Sequence, residues 1–69
     1  MQLSARNQFS GPVKEVKLGN IMAEIIVDIG GGHEVVAAIT RGSAERLGLS
    51  PGVDVTVVIK ATEVLIAKD

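Results

Sequence analysis

Two runs in which apolar residues recur at every second position, IMAEIIVDI and HEVVAAIT, flank three consecutive glycines, Gly30 to Gly32, and no other feature constrains the fold so tightly. A period of two is that of a strand with one buried face. Glycines accept the positive φ values that tight hairpin loops need. The runs therefore predict an antiparallel hairpin, with Ile21, Ala23, Ile25, Val27 and Ile29 lining the inner face of one strand and Val35, Ala37 and Ile39 that of the next. The same period recurs in VDVTVVIK, where Val53, Val55, Val57 and Ile59 share a side.

Upstream, a strand is expected from about Arg6 to Val16, turned by Leu18 to Asn20 into the second. The segment TRGSAERLGLSPG carries the one convincing helix signal. Thr40 or Ser43 can cap it, Glu45 suits its positive end, and Gly48 with Leu49 suits a left-handed stop before the turn at Pro51 and Gly52. A short fifth strand is expected in EVLIA, Glu63 to Ala67. The expected fold is thus all-β, a single domain over residues 1–69: an OB-like five-stranded barrel with one short helix after the third strand.

Sixty-nine residues bury only a small core, and the chain contains no cysteine and a single histidine. Disulfide and thiolate or His-rich metal staples are excluded, which leaves oligomerisation as the usual support for so small a fold. The outward strand positions agree: Met22, Ile26, Val36, Ala38, Val58 and Leu65 are apolar where a monomer would be polar. Contiguous apolar surface of that kind marks protein contact, here on more than one side.

Several functions are disfavoured. A net charge of −1, scattered basic residues and one aromatic, Phe9, provide neither phosphate-neutralising surface nor a base-stacking platform. No apolar stretch is long enough to cross a bilayer, so a soluble, cytoplasmic protein is expected. No Ser-His-acid set or suggestive carboxylate pair is present, so an enzyme is not expected. GGGH, followed by a strand, is not a phosphate loop, and His33 reads as a strand-start or interface residue.

Three donor clusters remain: Ser4, Ala5, Arg6 and Asn7 near the start; Thr40 and Ser43 at the helix; Lys60, Ala61 and Thr62 after the fourth strand. Each has an ordinary reading, as polar strand start, helix cap and solvated strand end. Together they supply two cations, several hydroxyls and backbone amides. A tetrahedral dianion, which presents acceptors in every direction and no donor, needs such a set.

SARNQ, then VAAIT running into SAERLGL and PG, then VIKAT with a short apolar tail resembles, over essentially the whole chain, the molbindin family of single Mop domains, relatives of TOBE domains. The resemblance implies a strand-swapped dimer and a homohexamer of three dimers, with molybdate or tungstate as ligand and no cofactor. Ser4 and Arg6, with neighbouring amides, would bind from one subunit, and Thr40, Ser43, Lys60, Ala61 and Thr62 from another. Asn7 matches the motif as a structural amide that orders the strand start. Arg41 and His33 depart from the pattern. The implied role is storage or buffering of molybdate. A molybdate-sensing accessory module for transport or regulation, a nucleic-acid-binding OB-like domain and a small swapped-hairpin DNA-binding dimer are the alternatives.

Overall fold

The computed structural model describes residues 1–69. The elements run β1 (Asn7–Leu18), β2 (Met22–Gly30), β3 (His33–Thr40), α1 (Arg41–Arg46) and β4 (Asp54–Ile59), with a 3-10 turn at Ala61–Glu63. The four strands form one antiparallel sheet in the order β3-β2-β1-β4. No helix is long and apolar enough to cross a membrane.

β1 carries the architecture because it changes partner half-way. Asn7 to Pro12 pair with β4, and Val13 to Leu18 pair with β2. At the change, Val13 donates its N–H to the Val53 carbonyl and accepts from Gly52 N, both at 2.8 Å, while its Cα partner on the other side is Val27. A bulge between Val13 and Glu15 adds one residue, Lys14, and so moves the inward positions from odd to even: Gly11 and Val13 before it, Val16 after. The first half of β1 passes so close to β2 that a Cβ on Gly11 would overlap the Asp28 carbonyl oxygen.

The curled sheet closes over a small core of Val13, Ala23, Ile25, Val27 and Ala44. Ala44 comes from α1, whose start is capped by the Thr40 side chain, which accepts from Ser43 N at 3.1 Å. Its end is a left-handed stop: Gly48, at φ +64, donates to the Glu45 carbonyl, and Leu49 N donates to Ala44 O. Glu45 does not serve the helix start as expected. It pairs with Arg41 one turn back, Nε to Oε1 2.8 Å.

The fold departs from the sequence reading in two further places. β1 begins one residue later and ends two residues later than expected, and β2 begins at Met22, which leaves Ile21 outside the strand and exposed rather than on the inner face. There are four strands, not five. The 3-10 turn carries the chain off β4, and Val64 to Asp69 pair with no strand, so Leu65 (93% exposed) and Ile66 (89%) project into solvent. A strand needs a neighbour's backbone groups, and the tail finds none within its own chain.

Candidate oxyanion site

The register of β1 with β4 ends at Asn7 opposite Ile59. Ser4 to Asn7 and Lys60 to Thr62 therefore leave the ladder side by side, at the same end of the sheet. The first segment is tied by Gln8, whose Nε2 donates to the Ala5 carbonyl at 2.6 Å. Asn7, expected to hold that place, is half-buried and makes no side-chain hydrogen bond within the chain. On the other segment Glu63 N donates to the Lys60 carbonyl at 2.9 Å and Val64 N to Ala61 O at 3.3 Å. The leading amides of such a 3-10 turn have no partner inside the turn.

Arg6 and Lys60 thus bring two cations to one place. The chain's ion pairs are Lys14–Glu34, Lys17–Glu24 and Arg41–Glu45, so neither cation is neutralised within the chain. Ser4, Arg6, Lys60, Ala61 and Thr62 are exposed, and Ala5 is half-buried.

Thr40 and Ser43 lie elsewhere. Thr40 pairs with Met22 at the end of the β2–β3 ladder, and Arg41 N donates to the Ile21 carbonyl at 2.7 Å, beside the turn that follows Leu18. The 12-residue β1 separates this end from Asn7. One chain therefore groups Lys60, Ala61 and Thr62 with Ser4 and Arg6, not with Thr40 and Ser43. Within the second group, Thr40 Oγ1 donates to Ser43 Oγ at 2.7 Å. A residue absent from the sequence expectation joins them: Arg46 Nη2 donates to the same Ser43 Oγ at 3.1 Å. Its signal was the spacing, three residues and about one helical turn after Ser43.

Arg41 and His33 make no side-chain hydrogen bond to either group. Arg41 ties α1 to the β1–β2 turn, through Glu45 and through Nη1 to the Gly19 carbonyl at 3.3 Å. His33 sits exposed at the foot of the glycine loop. The surface has two hollows of about 390 Å³, one along Leu18, Met22 and Ala38 and one along Leu47, Leu49 and Val55, and none of the candidate donors lines either. A single chain presents donors but does not enclose an anion.

Residues 3–66 match the TOBE domain model. The chain belongs to the TOBE domain family. This TOBE chain is 46% identical over 66 residues to molybdenum-pterin-binding protein 3 of Clostridium pasteurianum, covering 96% of itself and 97% of the relative. The solved molybdate-binding protein of Sporomusa ovata superposes with a TM-score of 0.90 at 46% identity, covering 99% of this TOBE chain and 100% of that one. MopII of Clostridium pasteurianum superposes at 0.91 with 39% identity, over 97% and 100% of the two chains.

Proposed function

We propose that the protein binds molybdate, and tungstate alike, as an intact oxyanion held between subunits, and that it stores or buffers the anion in the cell. The observation that carries the reading is the pairing of Asn7 with Ile59, which sets the unpaired cations Arg6 and Lys60 side by side in a member of a family whose relatives are named for molybdenum. Two cations balance a dianion. Hydroxyls and amides complete its shell without further charge.

The donor set is hard and non-coordinating: no thiolate is present, and no group of three His, Cys, Asp or Glu side chains converges. Binding by hydrogen bonds and charge, with no metal–protein bond, follows from that chemistry. Selection against sulfate rests on size. A cage fitted to the longer Mo–O bond leaves some oxygens of the smaller ion out of reach, and each unmade buried hydrogen bond costs about 1 to 3 kcal/mol.

The site is completed by a second chain, with Ser4, Arg6, Lys60, Ala61 and Thr62 of one subunit meeting Thr40 and Ser43 of another. The support is that one chain holds these groups at opposite ends of β1. Exposed Leu65 and Ile66 supply apolar surface for the assembly, a strand-swapped dimer within a hexamer.

The test is calorimetric titration with molybdate in excess sulfate, on protein whose mass is measured by light scattering. Sulfate-resistant binding by an oligomer is expected, and a folded oligomer that takes up no molybdate overturns the reading. Arg6→Ala and Lys60→Ala should each abolish tight binding with the assembly intact. Refolded together, Arg6→Ala and Ser43→Ala subunits should regain a fraction of wild-type sites, whereas Arg6→Ala with Lys60→Ala should regain none. Recovery in the second mixture would refute the grouping.

A further inference from the structure

The pairing of β1 with β4 stops one step short of where its register would carry it. Val13 N donates to the Val53 carbonyl, and alternate residues of β1 then face β4 with their backbone groups: Gly11 opposite Val55, Phe9 opposite Val57 and Asn7 opposite Ile59. The next pair in this series is Ala5 with Ala61. Lys60 is still extended, at φ −61 and ψ 128, so β4 has not yet turned away where the Ala61 N–H would reach across. Yet the ladder ends at Asn7, and no hydrogen bond joins Ala61 N to the Ala5 carbonyl.

The Ala5 carbonyl is taken instead by Gln8, whose Nε2 donates to it at 2.6 Å. A carbonyl oxygen has no hydrogen, so only the N–H end of the Gln8 carboxamide can meet it. In this half of β1 the odd positions Gly11 and Val13 face inward, which leaves the even-numbered, exposed Gln8 on the outer face. Its side chain draws the Ala5 carbonyl to that face and out of line with β4. A carbonyl turned that way does not accept from the Ala61 N–H.

We propose that Gln8 is a positioning residue that holds the ladder open at Ala5, so that the Ala61 N–H is free for the oxyanion and a carbonyl oxygen is kept away from it. The inference rests on the reading of Ala61 as part of the oxyanion site. Anion and carbonyl compete for the same hydrogen. Where the carbonyl takes it, the site loses a donor and gains a partial negative charge beside Arg6 and Lys60. A side chain with no donor at residue 8 releases the carbonyl, and the ladder can close by one more pair. The variant's ladder is then longer and its site poorer, two changes that a simple loss of order would not produce together.

The experiment titrates molybdate by calorimetry into the wild-type oligomer, Gln8→Met and Gln8→Lys, with assembly checked by light scattering. Hydrogen exchange of the Ala61 amide is followed by NMR with and without molybdate. In the wild type that amide should exchange freely in the absence of molybdate and be protected in its presence. Gln8→Met should bind about tenfold more weakly, the effect of one hydrogen bond to a charged group. Its Ala61 amide should exchange more slowly than the wild type's in the absence of molybdate, because Ala5 now holds it. Gln8→Lys, which keeps a donor of similar reach, should return that exchange toward the wild-type rate. Unchanged affinity in Gln8→Met, or an Ala61 amide that exchanges there as fast as in the wild type or faster, overturns the inference. Bound molybdate that leaves the wild-type Ala61 amide unprotected overturns it too, a reading that needs no variant to assemble. Wild-type protein that binds no molybdate overturns the functional reading itself, an outcome distinct from binding with Ala61 unprotected.

Discussion

Replacing Gly11 by alanine tests the passage of β1 over β2. The added Cβ would overlap the Asp28 carbonyl oxygen and stand 3.0 Å from its carbon and 3.4 Å from Ile29 Cα. All three atoms are backbone, so no rotamer change relieves the contact, and β1 must move away from β2 where Val13 joins the core. Overpacking of this kind costs about 1 to 3 kcal/mol, and the lower unfolded-state entropy of alanine returns less than about 1 kcal/mol. For a domain of this size each kcal/mol moves the melting midpoint by about 4 to 8 °C, so a fall of roughly 5 to 20 °C is expected. The assay is a far-UV circular dichroism melt at fixed protein concentration, since an assembly's midpoint varies with concentration. Gly42→Ala is the control of opposite sign. Its Cβ meets only Arg46 Nη1 at 3.6 Å, an ordinary contact, and alanine in a helix gains about 0.5 to 1 kcal/mol over glycine. A Gly11→Ala melt at or above wild type, or a shift of both variants in one direction, would refute the close passage.

Ile25, 3% exposed at the centre of the five-residue core, should lose about 2 to 5 kcal/mol on truncation to alanine, read from the denaturation midpoint; a loss under about 1 kcal/mol would place the core elsewhere. Leu65→Asp with Ile66→Asp should split the assembly, because both side chains are almost fully exposed in the single chain and contribute nothing to its own core. Light scattering checks this, and an unchanged mass would remove the tail from the interface.

The hairpin of β2 and β3 was legible because every odd position from Ala23 to Ile29 is apolar and its loop is three glycines. The helix was legible because Thr40 and Gly48 stand at the right separation and perform the two terminal jobs their chemistry allows. β1 was harder. The bulge at Lys14 breaks the period there, and the strand's two halves answer to different neighbours, which a window of residues does not record. The tail was misread as a strand because β-prone composition is only half of a strand, and the other half is a partner edge. For the candidate site, the sequence offered the donors but not their grouping. Arg6 and Lys60 are more than fifty positions apart in sequence, and only the register at Asn7 and Ile59 brings them to one end of the sheet.

Burial and site geometry describe one deficit. Only five of 69 residues are buried, although nearly half the chain is hydrophobic. On the proposed shared site, the open donor clusters need a partner as much as the apolar surface does, because a dianion left in water gains little from scattered hydrogen bonds, whereas one enclosed by two chains loses competing solvent. Ligand and assembly are then thermodynamically linked. An anion that bridges subunits binds the oligomer and not the separated chain, and stabilises it by RT ln(1 + [L]/Kd), about 2.7 kcal/mol at a hundredfold excess over Kd. The proposed assembly would place the closing of the interfaces and the capture of the ligand, for a chain with so small a core, under the same equilibrium.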